Sequence, residues 1–205
     1  MDNFALLGQP RRPWIDPESL KAAFLEISSR AHPDRVHAGT SAERDAATGH
    51  YAELNAAYNC LRDPKLRLLH LLELELAAPP PNIQDIPGGT MELFVEVGLT
   101  CREADSLLAA RAKTASPLLQ AQSFERAMEC TQTLAGLQQR IQLRADELLA
   151  ELKQMNTIWN DAPPPGSPAR ANALPLRRLE EIGREFSYMT RWGGQIHERI
   201  AQLSF

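Results

Sequence analysis

The chain has 205 residues, 43% of them hydrophobic and 23% charged, with a formal net charge of −4. That length fits one large or two small domains with a real core, and the acidic balance excludes a nucleic-acid binder held by phosphate neutralisation. No apolar run approaches the ~20 residues a bilayer span needs, so no membrane segment is expected.

The opening Met1-Asp2-Asn3-Phe4 has no basic stretch followed by an apolar one. No signal peptide is expected from it, and a cytoplasmic protein is expected. Cys60, Cys101 and Cys130 are odd in number and widely spaced. They make neither a disulfide framework nor a metal knuckle and read as buried free thiols.

Strand signals are nearly absent, and helical spacing recurs along the whole chain. Asp16-Pro17 is an N-cap followed by proline at the first helical position. Leu20, Phe24 and Ile27 then fall on one face. The helix must stop near Ala31 or His32, because a residue before proline leaves the α region. His32-Pro33-Asp34 opens a polar loop running to Gly39 and Thr40-Ser41, and Glu43 completes a capping box for the next helix.

That helix runs from about Ala42 to Leu61, with Tyr51, Leu54, Tyr58 and Leu61 as its buried stripe. Two helices joined by so short a loop lie antiparallel, which puts His32-Pro33-Asp34 at one tip of a hairpin. Asp63-Pro64 starts a further helix, Lys65 to about Leu76, with Leu66, Leu69 and Leu72 or Leu76 facing inward.

From Ala77 to Gly89 the pattern breaks at Pro79-Pro80-Pro81, Pro87 and Gly88-Gly89. This segment is read as a semi-rigid linker and domain boundary. Met91 to Val97 reads as one to two helical turns interrupted by Gly98. Thr100 with Glu103 then caps a helix to about Ala112. Ser116-Pro117 opens the longest helix, reaching about Trp159, with Phe124, Met128, Leu134, Leu137, Ile141, Leu148, Leu152, Met155 and Trp159 at helical spacing. Such a run is coiled-coil-like, and pairing across a dimer stays open. A proline-rich break covers Asp161 to Pro168. The last helix, about Leu174 to Leu203, carries Leu176, Leu179, Ile182, Phe186, Met189, Ile196, Ile200 and Leu203. The expected fold is all-α: residues 1–76 as a helical hairpin domain, 77–89 as linker, and 90–205 as a three-helix bundle.

Residues 1–76 resemble a J-domain, the module that activates DnaK-type ATPase chaperones. The resemblance rests on Phe4 and Leu7, Phe24, His32-Pro33-Asp34, Asn55-Ala56-Ala57-Tyr58, Leu61, Asp63-Pro64 and Arg67. The opening Met1 to Gly8, Leu61-Arg62-Asp63-Pro64 with Arg67 and Leu71-Leu72, and the plan of a J-domain followed by a helical bundle look like the HscB-type co-chaperones of iron–sulfur cluster assembly. The resemblance implies a protein without catalytic activity or cofactor, partnered by a DnaK/HscA-type ATPase and an IscU-like scaffold. It assigns His32, Pro33 and Asp34 to the chaperone contact, with Lys21, Arg30 and Arg35 as the basic residues that steer the encounter. It assigns Met91 and Phe94 on the first bundle helix, and Tyr188, Met189 and Trp192 on the last, to the client. Tyr188 and Trp192 lie off the Phe186/Met189/Ile196 stripe, which favours exposure. Val95 and Gly98 stand where the family carries a longer, more acidic helix. A J-domain protein with another client, or with a self-associating bundle, is therefore the alternative. A metal enzyme built on His32, Asp34 and His37 lacks further converging ligands.

Overall fold

A computed structural model describes residues 1–36, 39–78, 88–112 and 117–204, with backbone only at 35, 36 and 117–121. The described residues form helices, one 3-10 turn and connecting turns, with no strand among them. Two compact units emerge: Met1–Asn82 with Leu149–Gly183, and Ile83–Leu148 with Arg184–Phe205.

The first unit begins with α1 (Asn3–Leu6), capped by Asp2, whose Oδ1 accepts the Phe4 and Ala5 N–H groups. Helix α2 (Pro17–Arg30) starts where the Asp16 carboxylate accepts the Ser19 N–H at 2.9 Å and proline fills the first turn. A 3-10 turn, Pro33–Val36, follows. Helix α3 (Ser41–Arg62) opens on the expected reciprocal capping box between Thr40 and Glu43. Asp63 then caps α4 (Pro64–Leu76) through the Leu66 N–H.

Phe24 of α2 stacks on Tyr58 of α3, ring centroids 4.4 Å apart, while His32 beyond α2 meets Tyr51 nearer the start of α3. This pairing fixes the antiparallel hairpin. Leu20, Leu54, Ala57 and Leu61 are fully buried in it, together with Phe4 and Leu7. Phe24, Ile27, Tyr51 and Tyr58 are only half-buried.

Helix α4 turns differently from the sequence reading. Leu68, Leu71 and Leu72 are buried, whereas Leu66 and Leu76 are exposed. Seven of its thirteen residues are leucine, so apolar spacing alone leaves its phase undetermined. Arg67 settles it. It is 3% exposed, and its Nε donates to the Pro13 carbonyl at 2.9 Å and Nη1 to the Leu61 carbonyl at 2.6 Å. Burial pulls the guanidinium down to about 10, still charged at neutral pH.

Residues 149–183 belong to this unit, although chain order groups them with the C-terminal bundle. The Asn156 side chain pairs with both backbone groups of Trp14, at 3.1 and 2.9 Å. Arg170, at the start of α7 (Arg170–Ala173), forms a two-pronged pair with Glu75 at 2.6 and 2.8 Å, and both side chains are almost fully buried. The boundary is discontinuous in sequence, which no single linker can reveal. The Pro79-Pro80-Pro81 and Pro87 positions lie outside the described residues.

In the second unit α5 is one helix, Met91–Arg111, and not a short segment plus a recapped one. Gly98 is helical within it, and its carbonyl accepts Arg102 Nε at 3.2 Å. A mid-helix glycine costs only ~1 kcal/mol, too little to force a break. Helix α6 (Pro117–Asp161) and helix α8 (Leu176–Leu203) supply residues to both units. Leu134, Leu137, Ile141 and Leu148 of α6 are buried here, with Val97, Cys101 and Ala104 of α5 and Phe186, Met189, Trp192 and Ile196 of α8. Phe124 and Met128, expected on the inward stripe, are 59% and 51% exposed. Buried Glu185 accepts Arg144 at 2.9 and 3.0 Å, Arg199 pairs with Asp105 at 2.9 Å, and Glu96 pairs with Arg140. Cys101 and Cys130 are buried free thiols, and burial pushes both above their ordinary range, as it does for Cys60.

Candidate functional site

The first site is the tip of the α2–α3 hairpin. Helix α2 ends at Ala31, whose N–H still bonds to the Ile27 carbonyl, because Pro33 pushes the residue before it out of the helix. Pro33 then opens the 3-10 turn with its fixed φ. The Asp34 backbone N–H donates to His32 Nδ1 at 3.3 Å. The accepting Nδ1 places the proton of the neutral ring on Nε2. Asp34 Oδ2 stands 3.5 Å from the same nitrogen, an ion pair when the ring is protonated. The imidazole meets Tyr51 edge-on at 5.2 Å between centroids, which ties the turn to α3.

The Asp34 side chain is 90% exposed, whereas that of His32 is 45% exposed. The arrangement presents an acidic group from a short turn braced on both sides. Lys21 and Arg30 are exposed on α2, and Arg30 pairs with Glu26 at 2.6 Å. The side chain of Arg35 lies outside the described residues. Arg30 therefore shares its charge with a carboxylate one turn away, which weakens it as a steering cation.

The second site lies within the second unit. Met91 and Phe94 are 53% and 41% exposed on α5. Phe94 touches Trp192 of α8, centroids 6.3 Å apart, and Trp192 touches Tyr188 at 5.6 Å. The resemblance assigned Met189 and Trp192 to the client, and of the two only Trp192 was expected exposed, off the Phe186/Met189/Ile196 stripe; the structure buries both, at 5% and 3% exposure. Their place is structural, because Trp192 fills the core behind Phe94. Tyr188 is half-buried.

Two residues went unassigned in the sequence, Val95 and Leu99, which are 48% and 55% exposed. Met91, Val95 and Leu99 follow each other at intervals of four and share one face of α5. The signal was present in their spacing. It was hidden by treating Gly98 as a break. Glu96, on one border of this face, is drawn sideways to Arg140 of α6. The result is an apolar strip on α5, bordered by Phe94 and α8 on one side and by Glu92 and the Arg140-paired Glu96 on the other.

Among the described residues no group of three or more His, Cys, Asp or Glu side chains is placed to hold a metal ion. No helix among them is long and apolar enough to cross a membrane.

No protein-family model matches the chain. Among curated proteins it is 43% identical over 72 residues to the "Co-chaperone protein HscB homolog" of Bordetella pertussis, covering 35% of this chain and 42% of that protein. The homolog of the same name from Bordetella avium is 42% identical over 72 residues, again 35% of this chain and 43% of the relative. The chain thus matches about two-fifths of the length of these relatives. Among solved structures, chaperone HscB from Vibrio cholerae superposes with a TM-score of 0.52 over 96% of this chain and 99% of that one, at 22% identity. Human co-chaperone protein HscB superposes with a TM-score of 0.55 over 98% and 81% of the two chains, at 18% identity. The chain resembles the HscB-type J-domain co-chaperones, in sequence over 72 residues and in its all-helical fold over nearly its whole length.

Proposed function

We propose that the protein is a cytoplasmic co-chaperone that stimulates the ATPase of a DnaK/HscA-type chaperone and delivers to it an IscU-like iron–sulfur scaffold protein, performing no chemistry itself. The observation that carries this reading is the 90% exposed Asp34 side chain on a turn braced by His32 and Tyr51. An arginine on the ATPase is its counterpart. A charge-assisted pair of this kind is strongest when the donor and acceptor are held in place before contact. Pro33 and the His32 ring supply that preorganisation. The co-chaperone then lends binding energy to the hydrolysis-competent arrangement of the ATPase, which is a shift in population and not a catalytic step.

The α5 strip of Met91, Phe94, Val95 and Leu99, with Tyr188 beside it, is the surface assigned to the scaffold. Exposed apolar side chains grouped on one helix face are the ordinary mark of a protein contact. The pairing of Glu96 with Arg140 leaves this surface less acidic than the family pattern, and it favours as second reading a J-domain co-chaperone with another client.

The test adds purified protein and scaffold to a DnaK/HscA-type ATPase and follows phosphate release. Stimulation by the protein, increased by the scaffold, is expected. Stimulation that the scaffold leaves unchanged selects the second reading, and no stimulation at all ends both.

A further inference from the structure

Helix α2 carries Glu18 and Glu26 against Lys21 and Arg30, so its charges cancel. Glu26 and Arg30 also satisfy each other at 2.6 Å. At 100° per residue, Glu18, Ala22, Leu25 and Ser29 share one strip of the helix, with Lys21 on one border and the Glu26–Arg30 pair on the other. All of these residues are exposed. Leu25 is 55% exposed and is the large apolar side chain that α2 turns to solvent. The strip ends at Ser29, three residues before His32, and so runs into the Asp34 turn.

A charge-balanced face gives little long-range attraction to a charged partner. Affinity beyond the Asp34 contact then has to come from area removed from water, and Leu25 offers the most on this strip. Resting on the co-chaperone reading above, we propose that Leu25 is the apolar anchor of the ATPase contact, and that this contact is held with weak dependence on salt. The partner surface this fits is an apolar depression beside an arginine, and not an acidic patch.

The experiment titrates the full chain into a purified DnaK/HscA-type ATPase and reads the half-saturating concentration for stimulation. Leu25→Gln raises that concentration about tenfold. Leu25→Met, which keeps the apolar area, stays within about twofold of the parent. The parent's own value changes less than about threefold between about 25 and about 250 mM salt. Because Leu25 is more than half exposed, the Gln variant keeps the parent's circular dichroism and melting temperature, which separates lost contact from lost fold. A Gln variant within twofold of the parent, or a steep salt dependence of the parent, overturns the proposal while Asp34→Asn still abolishes stimulation. If Asp34→Asn leaves stimulation intact, the co-chaperone reading itself falls.

Discussion

His32 accepts the Asp34 backbone N–H through Nδ1 at 3.3 Å, and the same ring rests edge-on against Tyr51 of α3. One imidazole thereby couples the turn to the hairpin. Replacing His32 with alanine removes both contacts and leaves the Asp34 carboxylate on a looser turn. The expected loss is at least about tenfold in ATPase stimulation, since ordering the turn then has to happen at the moment of contact. The melting temperature should move by less than about 4 °C, because the ring is 45% exposed. Equal loss of activity and of stability would show that His32 acts through the fold alone.

Arg67 predicts a different kind of damage. Arg67→Met keeps much of the buried volume but leaves the Pro13 and Leu61 carbonyls without the donors they now have. Orphaned buried acceptors cost about 1–3 kcal/mol each, so a loss of about 2–6 kcal/mol is expected in urea unfolding. A loss below about 1 kcal/mol would mean that water reaches both carbonyls.

The second unit separates core from contact surface. Trp192→Ala should destabilise by about 3–5 kcal/mol, as for other buried large aromatics. Phe94→Ala should cost about 1 kcal/mol or less, yet weaken capture of the scaffold about tenfold in a titration. Weakened capture by Trp192→Ala at parental stability would instead restore Trp192 to the client contact that the resemblance implied.

His70 gives the pH dependence. Its Nε2 accepts the Asn3 N–H at 3.0 Å and its ring stacks on Phe4, an arrangement that needs the neutral imidazole. Burial lowers its pKa below 6.5, outweighing the opposite pull of Asp2 and Glu73. Below 6.5 the unfolded chain therefore binds more protons than the folded one. The stabilisation from this group is complete above about pH 6.5 and is lost as pH falls toward the folded pKa. Asp2 acts lower on the scale. Burial alone would raise it, but the hydrogen bond from Arg11 and the Ala5 and Phe4 N–H groups bring it below 3.8. Its contribution is lost only below about pH 4, so the two windows separate. Urea unfolding of His70→Gln should show a flatter stability profile between about pH 7 and pH 5 than the parent. An unchanged slope there would assign the dependence to other groups.

Much of this fold was legible because its helix ends are written in local chemistry. Asp16-Pro17, the Thr40–Glu43 box and Asp63-Pro64 each satisfy N–H groups within a few residues of themselves, so sequence neighbours carry the information. The Asp34 turn was legible for the same reason, since Pro33 acts on its immediate neighbour. What failed was non-local. The phase of α4 is set by Arg67 reaching Pro13, and the membership of 149–183 by Asn156 reaching Trp14 and Arg170 reaching Glu75. Those partners lie tens of residues apart and leave no periodic trace. Trp192 was misplaced because position off a stripe says which way a side chain leaves its helix, not what it meets there.

The most direct trial compares the parent protein with Asp34→Asn in single-turnover ATP hydrolysis by a DnaK/HscA-type ATPase, with scaffold present. The substitution keeps the size and the exposed position of the side chain and removes its charge. Hydrolysis accelerated by the parent, and returned to the unstimulated rate by Asp34→Asn at unchanged melting temperature, is the predicted result. Equal acceleration by both proteins would contradict the account.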